Sequence, residues 1–463
     1  MKRVLTLWPQ VWPWSRTAVG EGESISRRVN HLAGPVIVEN LLQTLMGVVD
    51  MILVGGLGAD ALGGVGSAIQ VLWVIQSGFA AITTGTTVLI AHNIGAGERD
   101  EANWVLKQSV TIAGILGVLI GILGWYFSYP IIAVLGGEPE MVADGATYFA
   151  ITAAMSIFIL GMFILGAALR GAGDSQTPMR VAVVANIINA VLAWALINGH
   201  LGFPSLGIIG SAWATAIARA IGMLLLLGFL IWGKCKLHLQ LRGTWRLDLS
   251  VMRRMFNIGL PSMGEQLMMS VGMLLFGVVA IRMGTDVYAA QRVTLNMMSF
   301  SFMPGLGYAI AATALTGQYL GAKEPQNAKR ATDYATLAAL VIMTAVAVVM
   351  FFFGEPLMRV YTSDEAIIAI GVTALKVLAL SQPFQAIGQA LAGGLRGAGD
   401  TRYPMVVTSA SIWLVRLPLA FLFGPVMGLS LAWVFVSAVV DGAVRAVAMW
   451  WRYRQNKWMQ IRV

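Results

Sequence analysis

Residues 169–174 read Leu-Arg-Gly-Ala-Gly-Asp, and residues 395–400 read the same six in the same order. The two copies stand 226 residues apart, as do the pairs Pro178-Met179 and Pro404-Met405 that follow them. Upstream, Pro35, Glu39 and Leu41 recur as Pro261, Glu265 and Leu267. Gly95-Ala96 and Glu98 recur as Gly321-Ala322 and Glu324, and Arg219 and Arg445 keep the same spacing. One shared hexapeptide could arise by chance, but a constant offset without a gap could not. The chain is an internal duplication, and its repeat is far longer than the 20–50 residues of a solenoid unit.

Each copy holds six apolar runs. They fall at about 31–55, 61–91, 108–128, 142–169, 179–198 and 205–232, then 256–281, 287–318, 332–353, 366–395, 405–423 and 427–450. Crossing a ~30 Å hydrocarbon layer takes ~20 apolar residues in a helix. A transmembrane β-barrel would show alternating segments of ~10 residues, whereas these runs are continuous and longer. The composition agrees: 57% of the 463 residues are hydrophobic and 11% charged, where an ordinary soluble domain carries ~25% charge. That excludes a disordered chain, a secreted disulfide scaffold and a conventional soluble enzyme. The expected fold is all-α and integral to the membrane, with twelve helices in two parallel six-helix repeats. Its expected parts are an N-terminal arm (1–29), a first lobe (30–232), a basic linker (233–255), a second lobe (256–450) and a tail (451–463).

Charge gives orientation. With twelve spans and an inside N-terminus, 24 of the 31 Lys and Arg fall on the inner side and two, Arg282 and Arg359, on the outer. The other five, Arg219, Arg292, Lys376, Arg416 and Arg445, lie within spans. This split follows the positive-inside rule and places both termini in the cytoplasm. Six spans is an even number, so both repeats enter from the same side. Parallel repeats of this kind belong to transporters that rock one lobe against the other about a midplane site.

Other classes are poorly supplied. The single Cys235 cannot form an intrachain disulfide and reads as an incidental loop residue. The four histidines, His31, His92, His200 and His238, are scattered and form no metal-ligand spacing. The net charge of +9 is dispersed among loops, not gathered on one face as in a nucleic-acid binder. There is no His pair at helical spacing, no Gly-x-Ser-x-Gly and no HExxH, so no enzyme is expected. No signal-peptide apolar core follows Lys2 and Arg3. Trp8, Trp12 and Trp14, with Pro9 and Pro13, read either as an interfacial anchor or as a solvated arm.

In the repeated hexapeptide, Arg170 and Arg396 suit a helix C-terminus, and the glycines suit a tight reversal. Asp174 and Asp400 can cap the following helix. With Pro35, this turn reads as a gate or hinge, or simply as a well-built turn. Only four of the 22 acidic residues fall deep inside spans, away from their ends: Glu39, Asp50, Glu265 and Asp441. Intramembrane carboxylates are costly and usually mark ion or substrate routes. Glu39 and Glu265 are repeat mates and could serve structure in both lobes. Asp50 is matched by Phe276, so its acid is used in one lobe only, which favours function. Asp441 shares its depth with Arg416, as in a structural ion pair. Asn186, Asn189 and Gln43 could be interhelical glue or could help Asp50 hold an ion. Met263, Met268, Met269 and Met273 near Glu265, with Met297, Met298 and Met303, could line a promiscuous cavity or simply pack.

Leu32-Ala-Gly-Pro35, Val49-Asp50-Met-Ile-Leu-Val-Gly55, the hexapeptide in both lobes, Ser301-Phe-Met-Pro-Gly305 and Gly317-Gln318-Tyr-Leu-Gly321-Ala322 together resemble the multidrug and toxic compound extrusion (MATE) family. The resemblance covers about 30–450. It implies a V of two six-helix lobes, and export of amphipathic, often cationic compounds driven by inward H⁺ or Na⁺. Asp50 matches the family's first-helix acid, Pro35 the proline before it, and Asn189 an asparagine of the fifth helix. Where the family often has a second aspartate this chain has Ala193, and where some members have an acid it has Met269.

The expected protein is therefore a secondary active multidrug antiporter of the cell membrane, a monomer without cofactor or nucleic-acid partner. Asp50, with Asn189 and Gln43, would exchange H⁺ or bind Na⁺. Glu265 would share the ion or attract cationic cargo, and Glu39, Met268, Met269 and Met298 would line the cavity. The rival expectation is a flippase for lipid-linked sugars on a related fold, which gains if Arg292 and Lys376 both face the central cleft.

Overall fold

The computed structural model describes residues 24–200, 202–233, 235–240, 245–461 and 463. The N-terminal features read from Lys2, Arg3, Trp8, Pro9, Trp12, Pro13, Trp14 and Arg16 lie outside the described residues, as do the bases Lys234, Arg242 and Arg462.

The spanning helices are α1 (Ile25–Gly55), α2 (Ala59–Gly95), α3 (Arg99–Tyr126), α4 (Pro139–Ala154 and Ser156–Gly171), α5 (Gln176–Asn198) and α6 (Gly207–Ile231). The second set is α7 (Leu249–Ile281), α8 (Thr285–Gly321), α9 (Pro325–Phe352), α10 (Glu365–Gly397), α11 (Arg402–Val426) and α12 (Leu431–Arg454). All twelve apolar runs thus become helices. Several extend past the apolar run by one or two polar turns, because backbone hydrogen bonding continues beyond the lipid-facing stretch. Interior prolines at 35, 261, 304 and 383 do not break their helices. Neighbouring helices can re-satisfy the freed groups.

Two runs are not the simple helices expected. The run 142–169 breaks at Met155 with a 55° bend. There the backbone of α4 lies on a glycine stripe of α3: a Cβ at Gly117, Gly121 or Gly124 would strike Ile157, Ala154 or Ala153. Thr152 also turns its hydroxyl back onto the Tyr148 carbonyl at 2.9 Å, a bond that bends helices. In α11, two π-helical turns, Ile412–Arg416 and Leu422–Val426, sit just before Pro418 and around Pro425. A wider turn relieves the clash of a proline ring with the preceding carbonyl.

The core is divided. Phe79, Val88, Leu106, Leu160, Leu165 and Leu226 centre the first six helices at the basic end, and Val54, Ile132, Phe149 and Ile197 centre them at the opposite end. Ala312, Met343, Ala390 and Met449 centre the last six at the basic end, with Phe276 and Phe435 deeper. Two helices cross over. The start of α1 (Val29, Leu32, Ala33) packs in the second core, and the start of α7 (Val251, Met255, Ile258) packs in the first. At these crossings Gly259 sits on the Ala81 backbone and Gly307 on Ala33 and Ile37. The halves are therefore knitted at the basic end and part away from it, which is the V.

The linker is strapped to α3. Trp104 Nε1 donates to Asp248 at 3.1 Å, Gln108 bonds both Arg246 O and Asp248 N, and Asn103 accepts from His238 N. Asp248 also caps α7 through Ser250 N and Val251 N.

Candidate functional site

In the first half, α1 carries Glu39, Gln43 and Asp50 at spacings of four and seven, which stack side chains along one helical face. Glu39 accepts from Arg170 Nη1 of α4 at 3.2 Å. Gln43 lies beside that pair, in a narrow cleft also lined by Met162, Phe163, Arg170, Pro178 and Arg219. Gln43 was expected to help Asp50; the structure puts it with Glu39, because two helical turns separate it from Asp50 by ~10 Å.

Asp50, partly buried, meets Asn189 of α5. With the amide turned so that its nitrogen faces the carboxylate, Asn189 donates to Asp50 Oδ1 at 3.3 Å and accepts from Thr215 Oγ1 of α6 at 3.1 Å. That orientation satisfies both ends of the amide. The Tyr148 phenol of α4 lies against Thr215 and Ser211. Arg219 of α6 acts electrostatically on both Glu39 and Asp50, so one guanidinium links the two acids of α1. The expected association of Asp50 with Asn189 is present. Tyr148, Thr215 and Arg219 were not anticipated as its neighbours; the only signal was that Arg219 keeps the repeat offset. Ala193 is fully buried one turn beyond Asn189 and brings no second acid.

The second half builds the same devices differently. Glu265 accepts from Arg396 Nη2 at 2.7 Å through both oxygens and from Thr408 Oγ1 at 3.0 Å. Arg170 and Arg396, expected to serve helix C-termini, instead reach back from the last helical turn to the intramembrane glutamates, which the long arginine side chain allows. Glu265, expected to share the coupling ion or attract cationic cargo, has its charge paired with Arg396.

Asp441 of α12 is fully buried and bonds Arg445 one turn on at 2.6 Å, with Arg416 at 4.0 Å and the Ser411 hydroxyl also on it. The expected pair with Arg416 is present, and Arg445 is the nearer partner. The guanidinium of Arg416 lies over the Phe276 ring at 4.8 Å. The repeat mate of Asp441 is Thr215, and that of Phe276 is Asp50. Each half therefore has one deep aspartate beside the same arginine (Arg219 or Arg445), supplied by the first helix in one half and the last helix in the other.

The remaining candidates divide. Asp174 accepts from Thr177 N at 3.0 Å and from its hydroxyl, capping α5 as expected. Asp400 does not repeat this: it takes Arg452 of α12 at 2.8 Å. The counterpart of Thr177 is Tyr403, whose hydroxyl goes to Ala448 O. Met268 is exposed and Met269 half-buried on α7, but Met298 packs in the core with Phe276 and Phe435, so it lines no cavity. Arg292 is exposed, and Lys376 leans over Phe351 of α9 at 5.9 Å. Cys235 lies against Asp174 and Thr177, and burial pushes its thiol up to about 12. Among the described residues no cluster of three His, Cys, Asp or Glu could hold a metal ion.

The MatE family profile matches the chain twice, at residues 35–195 and 261–422. The chain is 33% identical over 438 residues to a probable multidrug resistance protein NorM of Thermotoga maritima, covering 95% of this chain and 94% of that one. Among solved structures it superposes on an outward-facing multidrug resistance MATE family transporter with a TM-score of 0.88 at 25% identity, over 95% of this chain and 97% of that one. It matches equally well, with a TM-score of 0.88 at 25% identity and over 95% and 98% of the two chains, a transporter of the MOP superfamily from Pyrococcus furiosus. That protein is described as having a binding pocket of reverse polarity that suggests a different function.

Proposed function

The chain belongs to the MatE family, and from that premise we propose a secondary active antiporter in which Asp50 carries the coupling ion, a proton in preference to Na⁺. The coarser reading is plain: this is a multi-span membrane transporter for multidrug efflux, not an enzyme. The observation that carries the finer one is the Asp50 environment. It offers one carboxylate, faced by an amide donor, with a guanidinium nearby and Ala193 in place of a second acid. A Na⁺ site wants several converging oxygens, whereas a single carboxylate that gains or loses a hydrogen-bond donor suits proton exchange.

Protonating Asp50 removes its attraction to Arg219 and changes what Asn189 can donate to. The two charge states then favour different arrangements of α1 against α5 and α6. A ligand shifts such an equilibrium only through its different affinity for the two arrangements. Cationic cargo and the proton would compete for the same carboxylate. The basic end faces the cytoplasm in this reading, on the 24-to-2 split of bases. The six-helix lobes move as units in a monomer of the cell membrane.

The test is counter-transport in liposomes with pH and Na⁺ gradients imposed separately. The expected result is drug movement under the pH gradient alone, lost in Asp50→Asn. Movement under the Na⁺ gradient alone would transfer the role to Na⁺. Unimpaired transport by Asp50→Asn would end the role of Asp50.

A second reading has one observation in its favour. Asp441 is flanked by both Arg416 and Arg445, so the second half buries a net positive charge. That fits cargo bearing an anionic group, as the flippase reading requires. Lys376, directed toward α9, adds nothing to that cluster. Transfer of a fluorescent anionic lipid in the same liposomes distinguishes the two.

A further inference from the structure

At the basic end the two halves exchange a matched pair of hydrogen bonds. His92, in the last turn of α2, places Nε2 2.9 Å from the carbonyl of Gly397, the last residue of α10. Gln318, in the last turn of α8, donates from Nε2 to the carbonyl of Gly171, the last residue of α4, at 2.8 Å. His92 and Gln318 are repeat mates 226 residues apart, and so are Gly171 and Gly397. The pseudo-twofold operation therefore maps one bond onto the other. The last carbonyls of a helix have no partner within it, so each half caps an orphan of the other.

The surrounding contacts obey the same symmetry. A Cβ on Gly95 would fall on the Gln318 backbone, and one on Gly321 on the His92 backbone. α2 and α8 thus cross with their backbones touching, which only glycine allows. Within each half the capped helix is anchored one turn earlier by a threonine. Thr87 donates to Ala167 O at 3.1 Å and Thr313 to Gly393 O at 2.9 Å, again mates.

We propose that His92 and Gln318 are a reciprocal latch that holds the basic end shut, and that they are positioning residues of the transport cycle. The bonds span the halves, so they exist only while the halves are closed at this end. Opening it to load cargo leaves two helix C-termini uncapped and parts the glycine seam. The two side chains need only offer an N–H at the same place, which is why a histidine and a glutamine can be mates. The proposal rests on the alternating-access reading, but its test needs no cargo and no gradient.

Spin labels on Glu98→Cys and Glu324→Cys, both exposed at the basic end, report the separation of the halves in a Cys235→Ser background. Distances are read by double electron–electron resonance in lipid nanodiscs. The starting protein should show mainly the short distance. His92→Ala or Gln318→Ala should each raise the long-distance share by roughly 2- to 10-fold, the yield of one modest hydrogen bond. His92→Gln and Gln318→His should keep the starting distribution. Gly95→Leu, which forces the seam apart, should give the long distance almost alone. Alanine variants that keep the starting distribution overturn the latch, as does a His92→Gln that behaves like His92→Ala. A latch that passes while drug transport fails leaves the proposal intact and removes only the antiport reading.

Discussion

Arg170 meets Glu39 at 3.2 Å and Arg396 meets Glu265 at 2.7 Å, and in both pairs the partners are 131 residues apart in the chain. The repeat therefore carries an ion pair between the first and fourth helix in each half. The copies are not equal. Glu265 is the more buried acid, and it also takes Thr408, where Glu39 has no counterpart bond.

Breaking a buried pair from one side leaves an uncompensated charge and costs ~3–5 kcal/mol, far more than deleting both partners together. Arg396→Ala should therefore lower the thermal midpoint in detergent more than Arg170→Ala does. Glu265→Gln combined with Arg396→Ala should recover much of the loss of Arg396→Ala. Strict additivity of the two single effects in a double-mutant cycle would show that the pair is not coupled.

Asn189 links Asp50 to Thr215, so removing its amide should change the ion site without removing the acid. Asn189→Ala deletes one hydrogen bond to a carboxylate, worth ~1.5–3 kcal/mol where a charged group is involved. By the proposed role of Asp50, the pH at which drug transport is half-maximal should move upward, since the donor favours the ionised form. Thr215→Val, which removes the anchor behind the amide, should move it in the same direction by less. A pH profile unchanged in Asn189→Ala would separate Asn189 from the coupling ion.

The twelve helices were legible because each apolar run is long and each base-rich loop is short, and the duplication checked every boundary twice. The break at Met155 was not legible. It depends on the glycine stripe of α3 receiving the α4 backbone, a contact between helices that no single run records. The π turns of α11 had only Pro418 and Pro425 as a hint. At the site, Asp50 and Asn189 were found through asymmetry and resemblance. The partners of the glutamates were missed because Arg170 had a sufficient local explanation at its helix end. The equal 131-residue spacing of Glu39 to Arg170 and of Glu265 to Arg396 is the signal in the sequence that points to the pairs. The exchange of aspartates between α1 and α12 needed the structure, because the mates of both acids, Phe276 and Thr215, look unremarkable in sequence.

Asp248 caps α7 with its carboxylate, accepting from Ser250 N at 2.9 Å, Val251 N at 3.3 Å and Trp104 Nε1 at 3.1 Å. These bonds, led by that of the Ser250 side chain, hold its carboxyl down at about 2, below the usual 3.8. A depressed folded value means the contribution is fully present above the unfolded value and is lost as pH falls through about 2. The destabilisation caused by Asp248→Ala should therefore be the same at pH 7 and pH 5. Thermal unfolding in detergent at the two pH values checks this. A gap that closes already at pH 5 would mean that the cap is not held by the ionised carboxylate.

Cys235 ties the linker to the hexapeptide turn, which makes it a reporter of how the linker docks. Its thiol lies against Asp174, the residue that caps α5, and burial, then the negative charge of Asp174, pushes its pKa from 9.0 up to about 12. Only the thiolate attacks a maleimide, so the reactive fraction of Cys235 lies well below that of an ordinary thiol. Cys235 should label far more slowly at pH 7.5 than a cysteine introduced at exposed Glu98. Asp174→Asn removes the repulsion and loosens the cap, so labelling should quicken on both counts. Cys235→Ser should remove the slow phase and identify it. Equal rates at Cys235 and at position 98 would place the linker away from the turn.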